Sequence, residues 1–277
     1  MTLHFTKVHG LGNDFMIVDT VRAAVDVAAV ERAAVRLCDR NFGVGADGVL
    51  LLEPSEVADY RMRLLNRDGS EAEMCGNGIR AFGKFIYDSG LKRADRLRIE
   101  TLAGIQVLQL NARNGTVDSV RVDMGEPQLT PAEIPTTLVG VGAPLTVGGE
   151  SFNATCVSMG NPHCVIFVDQ WDDFPFKLIG PKLEHHPAFP RRTNVHFVKV
   201  VSRTEVRVKV WERGAGPTLA CGTGACAVLV AGVLNGVTER AATVHLPGGP
   251  LQIEWAADNH VFMTGPATIV YDGEIEI

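Results

Sequence analysis

The sequence predicts an α/β (α+β) protein of two pseudo-symmetric halves. Each half is a barrel-like, mostly antiparallel sheet wrapped around a central helix, with an active cleft expected between them. Three observations predict this. First, one stretch occurs twice: Leu65-Asn-Arg-Asp-Gly-Ser-Glu-Ala-Glu-Met-Cys75-Gly-Asn-Gly78 and Trp211-Glu-Arg-Gly-Ala-Gly-Pro-Thr-Leu-Ala-Cys221-Gly-Thr-Gly224. Second, each copy follows an alternating strand pattern, residues 60–64 and 206–210, and opens into an apolar helix. Third, the landmarks repeat at a near-constant offset: 148 for Asn13 and Asn161 (161 − 13), 146 for the cysteines (221 − 75), and 145 for Gly104 and Gly249 (249 − 104). The expected halves are residues 1–120 joined by 267–277, and residues 121–266.

Taken in order, residues 5–8 and 14–19 read as strands around a turn at 9–13. Apolar positions at helical spacing predict a helix over 27–38. The glycine-rich loop 41–48 lacks the helix and acidic residue that a dinucleotide site needs. Strands at 49–52 and 60–65 precede the first cysteine motif, and a helix over 79–87 ends at Gly90. Residues 97–101 and 105–110 pair around Ala103-Gly104, and 117–124 is a further strand. The proline-rich stretch 125–135 is the crossing between halves. Strands follow at 152–158 and 164–168, then a helix near 179–186 that Gly180-Pro181 opens. Strands at 194–201 and 205–211 lead to the second motif. The run 225–234 is apolar all round, so that helix is expected to be buried on every side. Strands at 243–246, 251–255 and 261–264 complete the half, and 268–271 returns to the first.

A cysteine at a helix start faces unpaired backbone N–H groups and the positive end of the helix dipole, which favour thiolate. The same N–H groups bind anions such as carboxylates. Each copy therefore offers a reactive sulfur beside a carboxylate cradle. Two copies facing one substrate would take a proton from one side of a carbon and return it on the other. Either cysteine alone reads equally well as a structural thiol in a glycine-rich turn; the matched pair favours chemistry.

The chain has 277 residues, 46% of them hydrophobic and 21% charged, which are globular values. A net charge of −6 with no basic block argues against nucleic-acid binding. No apolar run is long enough to span a membrane, and the first residues carry no export-signal core. The six cysteines, Cys38, Cys75, Cys156, Cys164, Cys221 and Cys226, then read as reduced thiols of a cytoplasmic protein. They contain no C-x-x-C spacing, which argues against a structural zinc site.

Gly10-Leu-Gly-Asn-Asp-Phe15, Asp68-Gly-Ser-Glu71, Cys75-Gly-Asn-Gly-Ile-Arg80, Ser158-Met-Gly-Asn-Pro-His163, Glu212-Arg-Gly-Ala-Gly216 and Ala220-Cys-Gly-Thr-Gly-Ala-Cys226 together resemble the diaminopimelate epimerase family. The resemblance runs in order through nearly the whole chain. It implies a cytoplasmic isomerase that interconverts LL- and meso-diaminopimelate for lysine and peptidoglycan precursors, without pyridoxal phosphate or metal. Carried over by motif, Cys75 and Cys221 are the acid/base thiols, and Gly76, Asn77, Gly222 and Thr223 cradle the reacting carboxylate. Asn13, Asn66, Asn161, Asn194, Glu212 and Arg213 match positions that grip the rest of the substrate. His163 and Glu212 match positions that tune the thiols, and Tyr271 lies near a family homodimer surface.

Two positions depart from the family pattern. Gly48 stands where some members place a glutamine contact, and Pro217 stands where glutamate is common, removing a backbone donor. Alone, Asn13, Asn161 and Asn194 read as turn residues and His163 as a structural histidine. Two rival functions stay open on residues alone. One is a proline or hydroxyproline racemase-like enzyme of the same fold; the other is a thiol redox sensor built on Cys75 and Cys221.

Overall fold

A computed structural model describes residues 1–277. The chain divides into two compact units, Met1–Val122 with Gly265–Ile277, and Asp123–Thr264. Strands and helices are numbered along the chain.

The first unit holds β1 (Thr2–Gly10), β2 (Asn13–Asp19), α1 (Val27–Cys38), β3 (Gly48–Glu53), β4 (Tyr60–Asn66), β5 (Glu71–Ala72), α2 (Gly76–Asp88), β6 (Arg96–Thr101), β7 (Gly104–Arg113), β8 (Thr116–Asp123) and the last strand, β18 (Thr268–Glu276). Its sheet runs β18-β1-β2-β3-β4-β6-β7-β8. Every neighbour is antiparallel except β2/β3 and β4/β6, which are parallel. Parallel neighbours need a crossover. Helix α1 makes the first, and α2 makes the second.

The second unit holds β9 (Ala143–Val147), β10 (Glu150–Ser158), β11 (Pro162–Phe167), α3 (Phe176–Glu184), β12 (Asn194–Ser202), β13 (Glu205–Glu212), β14 (Gly216–Pro217), α4 (Gly222–Leu234), β15 (Ala241–Leu246), β16 (Gly249–Trp255) and β17 (Val261–Gly265). Its sheet runs β9-β10-β11-β12-β13-β15-β16-β17, with parallel neighbours only at β11/β12 and β13/β15. The two units thus share one strand order and one pattern of directions. The duplication read from the sequence is a duplication of topology.

Helix α1 is set by its residues. Asp26 caps it, its carboxylate accepting from the Ala29 N–H at 3.0 Å. Val30, Ala34 and Leu37 form its inner stripe and pack on Met16, Val18, Val49 and Leu51. Leu37 is wholly buried, and truncating it to alanine is expected to cost about 2–5 kcal/mol. Helices α2 and α4 lie against the strands of their own units and bury nearly every residue from their first glycine onward. In α4 Ala225–Ala231 are all at 0% exposure, as an all-apolar helix requires.

Three local expectations change. Helix α3 begins at Phe176, not at Gly180-Pro181, and keeps Pro181 inside it. Two prolines offer two starts, and the earlier one is used: the Pro175 carbonyl accepts from the N–H groups of Leu178 and Ile179. Both cysteine helices begin three residues earlier than their apolar periodicity suggests, because glycines in the first turn carry no periodic signal. Strand β9 was not expected; Pro144 masks an otherwise alternating segment. No helix is long and apolar enough to cross a membrane.

Candidate active site

In each unit the residue at the mouth of the second crossover helix is a cysteine. Cys75 is the N-cap of α2 and Cys221 the N-cap of α4, both with extended backbone and neither using its side chain as a cap. The first-turn donors of such a helix point out along its axis beside the sulfur. Gly76 and Asn77 are the first two residues of α2, and Gly222 and Thr223 the first two of α4, so the expected cradle residues occupy the first turn of each helix.

The sulfurs have different company. Around Cys75 it is amides. The Asn13 Oδ1 accepts from the Cys75 thiol at 3.6 Å and from Asn77 Nδ2 at 3.2 Å. Asn13 is itself held by Asp47, whose carboxylate takes its Nδ2 hydrogen at 2.7 Å. Asp47 is tied to Arg40, and Arg40 and Lys7 both pair with Asp14. Burial works against the Asp14 carboxylate, but hydrogen bonds from Arg40 and Lys7 outweigh it and hold it below the usual range. Asp47, Arg40 and Lys7 were missed from the sequence, since single charges near glycines carry no periodic signature.

Around Cys221 it is imidazole. His163 and His196 are both fully buried, with Nδ1 of His163 2.9 Å from Nε2 of His196. Nε2 of His163 is 2.9 Å from Asn161 Oδ1, which fixes the hydrogen on that nitrogen. Burial drives both rings well below the ordinary histidine value, His196 to about 3, so the pair is neutral near pH 7. His196 was not singled out in the sequence; it points inward from β12 two residues after Asn194. Gly224 makes the arrangement possible: a Cβ there would stand 2.3 Å from the His196 ring and 2.9 Å from the Cys221 sulfur.

At Cys221 the lowering expected from the helix start does not prevail. Burial raises this thiol well above its ordinary value, and the Glu212 carboxylate adds to the effect. The Thr223 hydroxyl, 3.7 Å from the sulfur, and the Gly224 N–H act in the expected opposite direction but are outweighed. Desolvation of an anion at a site with 6% exposure is the larger effect. Cys221 therefore rests as a thiol.

The remaining expected residues divide. Asn194 is buried and spends its amide on backbone, donating to the Pro162 carbonyl at 2.8 Å and accepting from the Arg213 N–H at 2.9 Å. It thereby fixes the segment that carries Glu212 and Arg213. Arg213 is exposed and donates to the Arg191 carbonyl at 3.2 Å, and Glu212 accepts from the Thr218 hydroxyl. Glu184, not foreseen, holds the same segment by accepting from Trp211 Nε1 at 2.8 Å and from the Gly214 N–H at 2.9 Å. The Asn66 side chain is spent in its own turn, donating to Ser70 Oγ at 3.0 Å. Tyr271 is exposed on β18, edge-on to Phe5. At Gly48 a Cβ would lie 2.7 Å from the Leu65 carbonyl oxygen, so the strand pairing there leaves no room for a side chain.

The diaminopimelate epimerase family model matches residues 5–130 and 155–270. A diaminopimelate epimerase of Pelotomaculum thermopropionicum is 56% identical over 277 residues, covering 98% of both chains. One from Acetivibrio thermocellus is 53% identical, covering 99% of both, and one from Methanococcus maripaludis is 51% identical over 99% of this chain and 100% of its own. Among solved structures, a PhzF-family phenazine biosynthesis protein of Bacillus anthracis covers both chains fully at 17% identity with a TM-score of 0.72. A hydroxyproline epimerase from Agrobacterium vitis, with bound trans-4-hydroxy-L-proline, covers 99% of this chain and 92% of its own at 16% identity and a TM-score of 0.69. At those identities the two structures share the fold.

Proposed function

We propose a two-thiol mechanism from one premise: the chain belongs to the diaminopimelate epimerase family and is an isomerase of lysine and peptidoglycan precursor synthesis. In this reading Cys75 and Cys221 act on one α-carbon of diaminopimelate, interconverting the LL and meso isomers without pyridoxal phosphate or metal. The observation that carries it is that each unit, on the same strand order, caps its buried helix with a cysteine that leaves the first turn uncapped by its side chain.

One sulfur, as thiolate, takes the α-proton: the C–H bond breaks, an S–H bond forms, and the electron pair stays on the carbon and its carboxylate. The other, as thiol, delivers its proton to the opposite face. Cys221, kept protonated by burial, is the donor at rest, and Cys75 is the base in that direction. The roles exchange for the other isomer. First-turn N–H groups at Gly76, Asn77, Gly222 and Thr223 meet the charge that builds on the reacting carboxylate. Arg213, exposed and with its planar fork, takes the distal carboxylate, and Glu212 an ammonium. Asn13, Asn66, Asn161 and Asn194 position the substrate directly or through the segments they hold. His163 tunes Cys221 as a neutral, uncharged wall.

The enzyme is proposed to work in the reducing cytoplasm, where its six thiols persist. A homodimer through the exposed β18 face at Val270 and Tyr271 belongs to the same proposal, and light scattering of wild type against Tyr271→Ala tests it. The functional test is direct. Purified, reduced protein without added cofactor is given LL-diaminopimelate, L-proline and trans-4-hydroxy-L-proline. Formation of meso-diaminopimelate, and no turnover of the two ring amino acids, is the expected result. Turnover of a ring amino acid alone would replace the substrate, and no turnover of any would remove the reading.

A further inference from the structure

The imidazole pair beside Cys221 has an unused capacity. Donor atoms of His163, His196 and Cys221 all lie within 4.8 Å of one another, and all three residues are buried. They come from β11, β12 and the mouth of α4, three segments whose sequence spacing carries no metal signature. We propose that His163, His196 and Cys221 form a three-ligand site for a thiophilic divalent cation of the Zn²⁺ class, and that an ion bound there switches Cys221 off.

Four features carry this. The donor set is two imidazoles and a thiol, which selects Zn²⁺, Co²⁺ or Cd²⁺ over Mg²⁺ and Ca²⁺. Asn161 Oδ1 holds the hydrogen of His163 on Nε2, leaving the Nδ1 lone pair directed at His196. This is the orienting hydrogen bond that metal-bound histidines require. His196 Nδ1 is buried with no hydrogen-bond partner. Moving the His196 proton to that nitrogen gives up only the hydrogen bond to His163 Nδ1, which the ion replaces, and frees Nε2 for an ion. Finally, Gly224 leaves no side chain between the His196 ring and the Cys221 sulfur. Where the rings now share a hydrogen bond at 2.9 Å, an ion would replace it with two metal–nitrogen bonds.

The step balances: the ion displaces the Cys221 thiol proton to solvent and a metal–sulfur bond forms, with no change of oxidation state. The sulfur's electron pair is then committed to the metal and cannot accept an α-proton, nor is there an S–H to give. The Cys75 group offers asparagine amides in place of imidazole, so it does not form a second such site. The switching half of the proposal rests on the catalytic role proposed for Cys221; the binding half does not.

The test uses metal-stripped, reduced full-length protein titrated with Co²⁺, read by the thiolate-to-cobalt charge-transfer band in the near ultraviolet. Wild type and Cys75→Ala are expected to show one equivalent of this band, Cys221→Ser none. His196→Gln is expected to weaken binding by more than about 100-fold, beyond the effect of losing an orienting partner. In parallel, one equivalent of Zn²⁺ is expected to abolish epimerase turnover and EDTA to restore it. No band in wild type, a band lost in Cys75→Ala but kept in Cys221→Ser, or unchanged binding in His196→Gln would each overturn the site. A normal band on a protein with no epimerase activity would remove the proposed function and leave the site standing, whereas a band without inhibition would overturn the switch.

Discussion

Gly78 and Gly224 occupy the same place in the two copies of the motif, three residues after the cysteine and inside the first turn of the helix. Their surroundings differ. A Cβ at Gly78 would meet Leu50, Phe15 and Cys75 at 3.5–3.6 Å, which is ordinary contact. A Cβ at Gly224 would drive into the His196 ring at 2.3 Å. The repeat preserved a glycine while its physical reason changed. In the second unit it makes room for imidazole against the sulfur; in the first no such demand exists. The same contrast runs through the two sites. Cys75 is half-buried among amides backed by a charged network, whereas Cys221 is buried against neutral rings.

The largest effect should come from the sulfurs themselves. Cys75→Ala and Cys221→Ala are each expected to lower turnover by at least about 10²–10⁴-fold, the usual reach of an acid/base group. An equal loss in both would mean that both thiols serve one reaction despite their different settings; a surviving Cys75→Ala enzyme would return the redox-sensor reading.

Next comes the glycine pair. Gly224→Ala is expected to destabilise by about 1–3 kcal/mol through overpacking and to lower turnover by displacing Cys221. Gly78→Ala should leave stability within about 1 kcal/mol of wild type, on the stabilising side, because alanine is the better helix former. Denaturant melts of the two variants check this. Equal damage at both positions would erase the distinction drawn between the sites.

A pH experiment sharpens the comparison further. The folded state holds His196 neutral, with its value depressed to about 3 by burial, while the unfolded chain protonates it near 6.5. The unfolded state therefore binds more protons in this window. The contribution is present above pH 6.5 and is lost as pH falls toward about 3. His196→Gln is expected to flatten this part of the stability profile relative to wild type. An unchanged slope would mean that the pair is not neutral in the fold.

The smallest effects belong to groups acting at one remove. Asp47→Asn keeps the shape but weakens the acceptor for Asn13, and about a tenfold fall in kcat with little change in KM is expected, consistent with loss of one charge-assisted hydrogen bond. Glu184→Gln loosens the Gly214 segment beside Arg213 and is expected to act on KM instead.

The contrast also explains what could be read from the chain. The repeated strand order and the two helix-start cysteines were legible because a duplication repeats its landmarks, and because an apolar run such as 225–234 has one physical outcome. What stayed hidden depends on contacts between segments distant in sequence. His196 looks like any inward residue of a strand until β11 brings His163 beside it. Asp47 is an ordinary loop acid until β2 presents Asn13 to it. The thiol at Cys221 was misjudged for the same reason: a helix start is visible in sequence, but the burial that outweighs it is a property of the packed fold.

The central claim is that two thiols work on opposite faces of one carbon, and the position of the label in early product tests it most directly. LL-diaminopimelate is incubated with reduced enzyme in D₂O, and substrate and product are followed by NMR through the first few per cent of conversion. Two distinct groups predict that meso product carries solvent deuterium at the inverted α-carbon from the outset, while unreacted substrate stays protonated. Product that retains the substrate's own hydrogen would mean that one group serves both faces, and would contradict the account.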